Sequence, residues 1–351
     1  MKAKEAIPPE PPGPEPGPWF FRDILWQTRA MGHLQTAMAR GRLSHAYLFL
    51  GPEGVGKACV ARAVAAALNC QQLRQDGDAC GACPSCRRLM AGTHPDFLII
   101  APDIEANKLQ IKIEKVRELR RLTEYPPLGD GWRVVLIKPA EALNALNDAA
   151  ANALLKTLEE PPERHLFVLI AVSEADLLPT IVSRCHRLIL APLPLALIAG
   201  ELMRRRGLAP PQAALVAALS RGSLGRALNA DLHDLLRQRQ QVLADLAQLT
   251  HGSTTAMLDW AQRLAKNRGD LETFLAMARL WCRDVLLCHF QAPAHLLTHQ
   301  DLLPELARQQ TAGPPELWFQ RFTALSAAQR QLQANRNPEL TLDIMGWRFQ
   351  G

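Results

Sequence analysis

Gly51-Pro52-Glu53-Gly54-Val55-Gly56-Lys57 fits the pattern G-x-x-x-x-G-K. In that pattern backbone N–H groups converge on phosphate oxygens and the lysine reaches the outer phosphates. The glycines permit the tight backbone that this requires, and a following helix N-terminus adds partial positive charge. Gly51, Gly54, Gly56 and Lys57 are therefore the candidate phosphate-binding residues. The next residue is Ala58, where a working enzyme of this type places a Ser or Thr hydroxyl on magnesium. A second loss lies further on. The apolar run Val134-Val135-Leu136-Ile137 is followed by Lys138-Pro139 and not by a pair of carboxylates. A lysine there repels magnesium, and a proline can neither orient water nor accept a proton. Glu141, three residues past Lys138, is placed on the next turn. Two losses at one site predict no intrinsic ATP hydrolysis. ATP or ADP binding stays open, since Lys57 and Lys138 together offer charge for phosphates without magnesium.

A second chemistry is carried by Cys70, Cys80, Cys83 and Cys86, four thiols within seventeen positions. This density suits tetrahedral zinc with four thiolates, a structural Zn2+ site with no open position for a catalytic water. An iron–sulfur cluster is the alternative, because C-x2-C-x2-C also occurs in ferredoxins, although no fourth cysteine follows at their spacing. Cys59, Cys185, Cys282 and Cys288 are scattered and read as ordinary buried residues.

The elements that must position these residues alternate. A helix is expected over Asp23–Arg40 and a strand over Ala46–Leu50. The glycine loop and an Ala-rich helix from Ala58 follow, then the cysteine insert, 70–86. Further strands are expected at Phe97–Ala101, Trp132–Ile137 and His165–Val172, with helices at Ile113–Glu124 and Asn147–Glu159. Short apolar strands alternating with helices indicate a parallel α/β sheet. Beyond about Pro192 strand patterns vanish and helical periodicity continues to the end. The expected organisation is a Pro-rich disordered leader (1–18), an α/β domain (19–191) and a small helical domain (192–230). A larger all-helical domain (231–351) completes it.

Composition narrows the class. The 351 residues carry a formal net charge of +6, and 48% are hydrophobic, enough for real cores. Mild basicity permits a nucleic-acid or acidic-protein partner without requiring one. The first eighteen residues hold seven prolines and no apolar run, so no signal peptide is read there. No apolar stretch reaches membrane-spanning length; the longest, Leu188–Ala199, is broken by Pro192 and Pro194. These features point to a cytoplasmic protein in which clustered cysteines hold metal and not disulfides.

Several stretches resemble the delta-prime family of bacterial DNA polymerase III clamp-loader subunits, which are AAA+ proteins. They are Ser44–Phe49, the four-cysteine insert, Ala91–Asp96, Asn147–Pro162 and Leu178–Cys185. The match is close over about residues 20 to 230. The resemblance implies an AAA+ domain, a helical lid and a C-terminal collar for oligomerisation. It also implies an arginine finger in Ser183-Arg184-Cys185, with Arg184 pointing into a neighbour's ATP site. A guanidinium keeps its charge and can bridge oxygens that gain charge in phosphoryl transfer. Active relatives carry a polar sensing residue near the position of Val172. They also carry an arginine in a lid pattern where this chain has Gly222-Ser223-Leu224-Gly225. Both are absent, while the outward-acting arginine remains.

The implied role is a non-catalytic subunit of the DNA-directed DNA polymerase III holoenzyme. The implied partners are gamma/tau and delta subunits, the sliding clamp through the complex, and primer–template DNA. Lys112, Lys115, Arg117, Arg120, Arg121, Lys156 and Arg204–Arg206 are basic residues that could meet DNA or simply face solvent. The alternatives are an active gamma/tau-type ATPase and a zinc-stapled nucleic-acid-binding module.

Overall fold

The computed structural model describes residues 17–350, except 25, 106–107, 111–117, 120 and 144–147. The leader up to residue 16, much of the helix expected at 113–124, and Lys112, Lys115, Arg117 and Arg120 lie outside the described residues. The chain forms two compact units, Met1–Leu193 and Pro194–Gly351.

The first unit is built on a sheet of β1 (Ala46–Leu50), β2 (Phe97–Ile100), β5 (Arg133–Ile137), β6 (His165–Ala171) and β7 (His186–Ile189). A short hairpin, β3 (Asp103–Glu105) with β4 (Lys108–Gln110), is separate. The sheet order is β2-β5-β6-β1-β7 and every pairing in it is parallel, for example Leu48 beside Leu169 and Val135 beside Phe167. Every residue of β1, β5 and β6 is buried. Strands covered on both faces read as continuous apolar runs, which is why sequence located them. The loops after β1, β5 and β6 emerge side by side, because β6 lies between the other two. In open parallel sheets ligands collect at these carboxyl ends.

Flanking helices are α1 (Thr28–Ala39), α2 (Lys57–Asn69), α3 (Pro84–Met90), α4 (Asp148–Glu159) and the single turn α5 (Pro179–Val182). The first helix begins at Thr28 and not at Asp23, where it was expected; a 3₁₀ turn, Phe21–Asp23, precedes it. The shift has a physical cause. The side chains of Trp26 and Gln27 bond the backbone of the glycine loop, and Gln27 also bonds Ala191. That direction is incompatible with an uninterrupted helix.

The second unit is helical throughout its described elements. It contains α6 (Leu195–Arg206), α7 (Pro210–Leu219), α8 (Leu224–Asn229), α9 (Leu232–His251) and α10 (Thr254–Ala265). Then come α11 (Arg268–His289), α12 (Leu303–Thr311), α13 (Pro315–Gln333) and α14 (Pro338–Gln350). Asp231, Ser253 and Asn267 accept N–H groups at the starts of α9, α10 and α11, satisfying donors that a helix leaves unpaired. Its core gathers Trp260, Phe274, Trp281, Trp318, Leu325 and Phe349. Among the described residues no helix is long and apolar enough to cross a membrane.

Candidate functional site

The glycine loop is built as its motif requires. Gly51 has φ 142°, and a Cβ there would lie 2.2 Å from the Leu190 carbonyl oxygen. Gly56 has φ 102°, and a Cβ there would lie 2.9 Å from Trp26 Nε1. Any side chain at either place would displace the loop. Gly54 is also left-handed, at φ 70°. The chain then enters α2 directly, so the helix N-terminus faces the loop. Trp26 Nε1 and Gln27 Nε2 each donate to the Val55 carbonyl at 3.2 Å.

Lys57 is turned inward. Its ammonium donates to the carbonyl oxygens of Gly51 and Pro52, the latter at 2.8 Å. Burial holds its pKa below the ordinary lysine value, and the carboxylates of Glu141 and Glu53 partly oppose that shift. The lysine that would meet phosphate is thus engaged by its own loop.

Glu141 does stand on the 3₁₀ turn after β5, Ala140–Leu143. Its carboxylate nonetheless reaches back. Oε1 accepts the Val172 N–H at 2.5 Å, at the exit of β6, and Oε2 is buried with no hydrogen-bond partner among the described residues. An acidic group therefore faces the loop despite Lys138-Pro139, and spacing along the sequence did not reveal it. It could have been found only by knowing that β5 and β6 are neighbours.

The cysteine insert forms a metal-shaped cluster. The sulfurs of Cys70, Cys80, Cys83 and Cys86 all lie within 4.8 Å of one another. Zinc–sulfur bonds of about 2.3 Å place tetrahedral sulfurs about 3.8 Å apart, so the donor set fits with small adjustments. Backbone N–H groups already point at the sulfurs. Cys80 N approaches Cys70 Sγ at 3.2 Å, and Cys83 N approaches Cys80 Sγ at 3.3 Å. Cys83 caps α3, accepting from Cys86 N, with Pro84 at the first helical position. N–H groups of Ala82 and Cys83 bring the Cys80 thiol down to about 6, while burial pushes Cys70 and Cys86 up.

The module is tied to the unit at both ends. Asp78 accepts from Phe21 N, Arg22 N and Arg22 Nη1 at 3.0–3.1 Å. Ser85 Oγ meets His94 Nε2 at 3.0 Å. Asp96, from the same Ala91–Asp96 stretch, accepts from Leu128 N, Gly129 N and the Arg133 guanidinium. Those sequence signatures hold the fold together.

Arg184 lies just past α5, at the surface. Nη1 donates to the Thr180 carbonyl at 3.0 Å and contacts Ser183 Oγ at 3.2 Å. Nη2 meets Glu159 Oε1 at 2.5 Å. Cys185 beside it is buried, which pushes its thiol up to about 12. Among the basic residues considered for DNA, Arg121 and Lys156 are exposed. Arg204 and Arg205 pair with Glu201, and Arg206 caps α8 through the carbonyls of Ala227 and Ala230. Gly225 and Arg226 lie in α8, with Ser223 Oγ accepting the Arg226 N–H.

A glycine-rich strand-to-helix loop at the carboxyl end of a five-stranded parallel sheet, with a four-cysteine insert and a helical C-terminal unit, defines an α/β protein of the P-loop type, with Ala58 where a magnesium-binding hydroxyl would stand. Residues 26–194 match the family described as DNA polymerase III, delta subunit. DNA polymerase III subunit delta' of Yersinia pestis is 32% identical over 346 residues, covering 92% of this chain and 94% of that protein. The delta' subunit of Pseudomonas aeruginosa is 41% identical over 212 residues, 60% of this chain and 62% of that one. DNA polymerase III subunit tau of Escherichia coli is 34% identical over 246 residues, 69% of this chain but 36% of tau. The chain belongs to the DNA polymerase III delta' subunit family.

Proposed function

We propose that this chain is a clamp-loader subunit that does not hydrolyse ATP at its own loop and lends Arg184 to the ATPase site of a neighbouring subunit. Its partners in this reading are gamma/tau and delta subunits, the sliding clamp and primer–template DNA. Residues 192–230 act as the lid and 231–351 as the oligomerising collar, while Cys70, Cys80, Cys83 and Cys86 hold a structural zinc ion.

One contrast carries the reading. At the chain's own loop Ala58 offers no metal ligand and Lys57 bonds the loop's carbonyls, whereas Arg184 stands at the surface just past the single turn α5. Glu141 favours the rival reading of an active gamma/tau-type ATPase, since it brings one carboxylate to the loop. That carboxylate already serves the Val172 N–H and a neighbouring lysine, and without a hydroxyl partner it does not complete a magnesium site.

The test is Arg184→Ala in a complex reconstituted with gamma/tau and delta subunits on primed DNA. A finger contributes on the order of 10³–10⁵ at the site it serves. Where the complex's ATPase sites fire independently, total turnover falls by the share of the site that Arg184 serves, and by more if they fire in concert. Assembly, measured by gel filtration, is retained. Unchanged turnover refutes the finger, and magnesium-dependent hydrolysis by the isolated chain refutes the non-catalytic reading.

A further inference from the structure

We infer that Glu159 restrains Arg184, holding the guanidinium against its own subunit until a neighbour's triphosphate takes the carboxylate's place. This regulation of the site rests on the arginine-finger reading above.

Glu159 is the last residue of α4 and Arg184 lies two residues past α5, so two separate elements bring the pair together. The guanidinium is engaged on both terminal nitrogens: Nη1 by Thr180 O and Ser183 Oγ, Nη2 by the carboxylate. The side chains are 33% and 48% exposed, so an arriving surface can reach both. An arginine bridges phosphate oxygens with the same planar fork of N–H groups that it offers a carboxylate. The two anions compete for one edge. While Glu159 occupies it, the cation is neutralised where transition-state charge would need it; Glu160, the next residue and also exposed, serves as the control carboxylate. The contact therefore has to open for the finger to act.

Its strength suits that use. An exposed ion pair of this kind shifts an equilibrium by about 1.4- to 5-fold, which a multiply charged triphosphate can override. The result is a cation that stays folded onto its own chain when no nucleotide-loaded neighbour is present.

The experiment titrates full-length chain into gamma/tau and delta subunits with primed DNA and reads ATPase. The chains compared are wild type, Glu159→Gln, Glu160→Gln, Arg184→Ala and the double variant Glu159→Gln/Arg184→Ala. Glu159→Gln is expected to speed the site that Arg184 serves about 1.4- to 5-fold at sub-saturating chain, read in the total rate in proportion to that site's share, with an unchanged melting temperature. The gain should shrink as salt is added, because an exposed pair is screened, and Glu160→Gln should give less. The double variant should match Arg184→Ala. If Arg184→Ala is slow but Glu159→Gln is no faster than wild type, the restraint is wrong and the finger stands. If Arg184→Ala turns over at the wild-type rate, the finger fails and the restraint falls with it.

Discussion

Replacing Lys57 by methionine asks whether this lysine serves nucleotide or its own loop. In a loop ready for nucleotide, removing the lysine abolishes binding and leaves the fold intact. Here the ammonium donates to the carbonyls of Gly51 and Pro52. A hydrogen bond from a charged donor contributes about 1.5–3 kcal/mol, so the two amount to about 3–6 kcal/mol. Burying the ammonium opposes this, as its lowered pKa shows, and methionine removes that penalty while keeping the apolar stem. The net expected loss is about 2–3 kcal/mol. At roughly 2–4 °C per kcal/mol for a unit of this size, the first unit should melt about 4–12 °C lower. Scanning calorimetry reads the melt, and titration calorimetry with ATP, with and without magnesium, reads binding. ATP binding is expected to be equally weak in both proteins. The reasoning is wrong if the variant melts with wild type yet loses a submillimolar ATP affinity that wild type displays.

The cysteine module should carry one equivalent of zinc by elemental analysis, and a strong chelator or Cys86→Ser should expose residues 70–90 to proteolysis. The sheet should stay folded, since its core is independent of the sulfurs; stoichiometric iron would restore the cluster alternative. Asp284 is fully buried and accepts from Thr298 N, His299 N, the His299 ring and Arg283. Burial is the largest influence and raises its pKa, but the contacts with His299 and Arg283 outweigh it and leave the carboxyl below its ordinary value. A depressed folded pKa means stability that is present above the unfolded value, near 3.9, and is lost as pH falls through the folded one. Urea unfolding of the helical unit should therefore weaken below about pH 4. Asp284→Asn should cost about 3–5 kcal/mol at neutral pH and flatten that acid limb, and an unchanged limb would count against the assignment.

How much was legible in the sequence depended on whether a residue's surroundings are local. The strands β1, β5 and β6 are buried on both faces, so nothing in their runs of Val, Leu, Ile and Phe conflicts with their position. The glycine loop and the four cysteines are contiguous or nearly so, and their spacing alone states their chemistry. β7 went unread because only Leu188 of its four residues is buried, which leaves almost no pattern. The β3–β4 hairpin has three residues per strand, too few for a period to show. The start of α1 was misplaced because Trp26 and Gln27 look like helix residues but spend their polar groups on Val55.

The unread part of the site is the part made by sheet order. Glu141 and Val172 are 31 positions apart and meet because β5 and β6 are adjacent; Glu159 and Arg184 are 25 apart and meet at the ends of two helices. Spacing names the chemistry of Lys57 and Arg184, but both cations have anions or carbonyls that only the fold supplies. The two pairings also differ in depth. Lys57 is only 6% exposed, so opening it exposes carbonyls that have lost their donor, whereas the Arg184 pair is partly exposed and opens cheaply. A cation locked inward and a cation loosely held outward are what a subunit needs if its contribution to hydrolysis is made at another chain's nucleotide. The depth of each pair thus supports the same division of labour that Ala58 and Arg184 suggest by residue type.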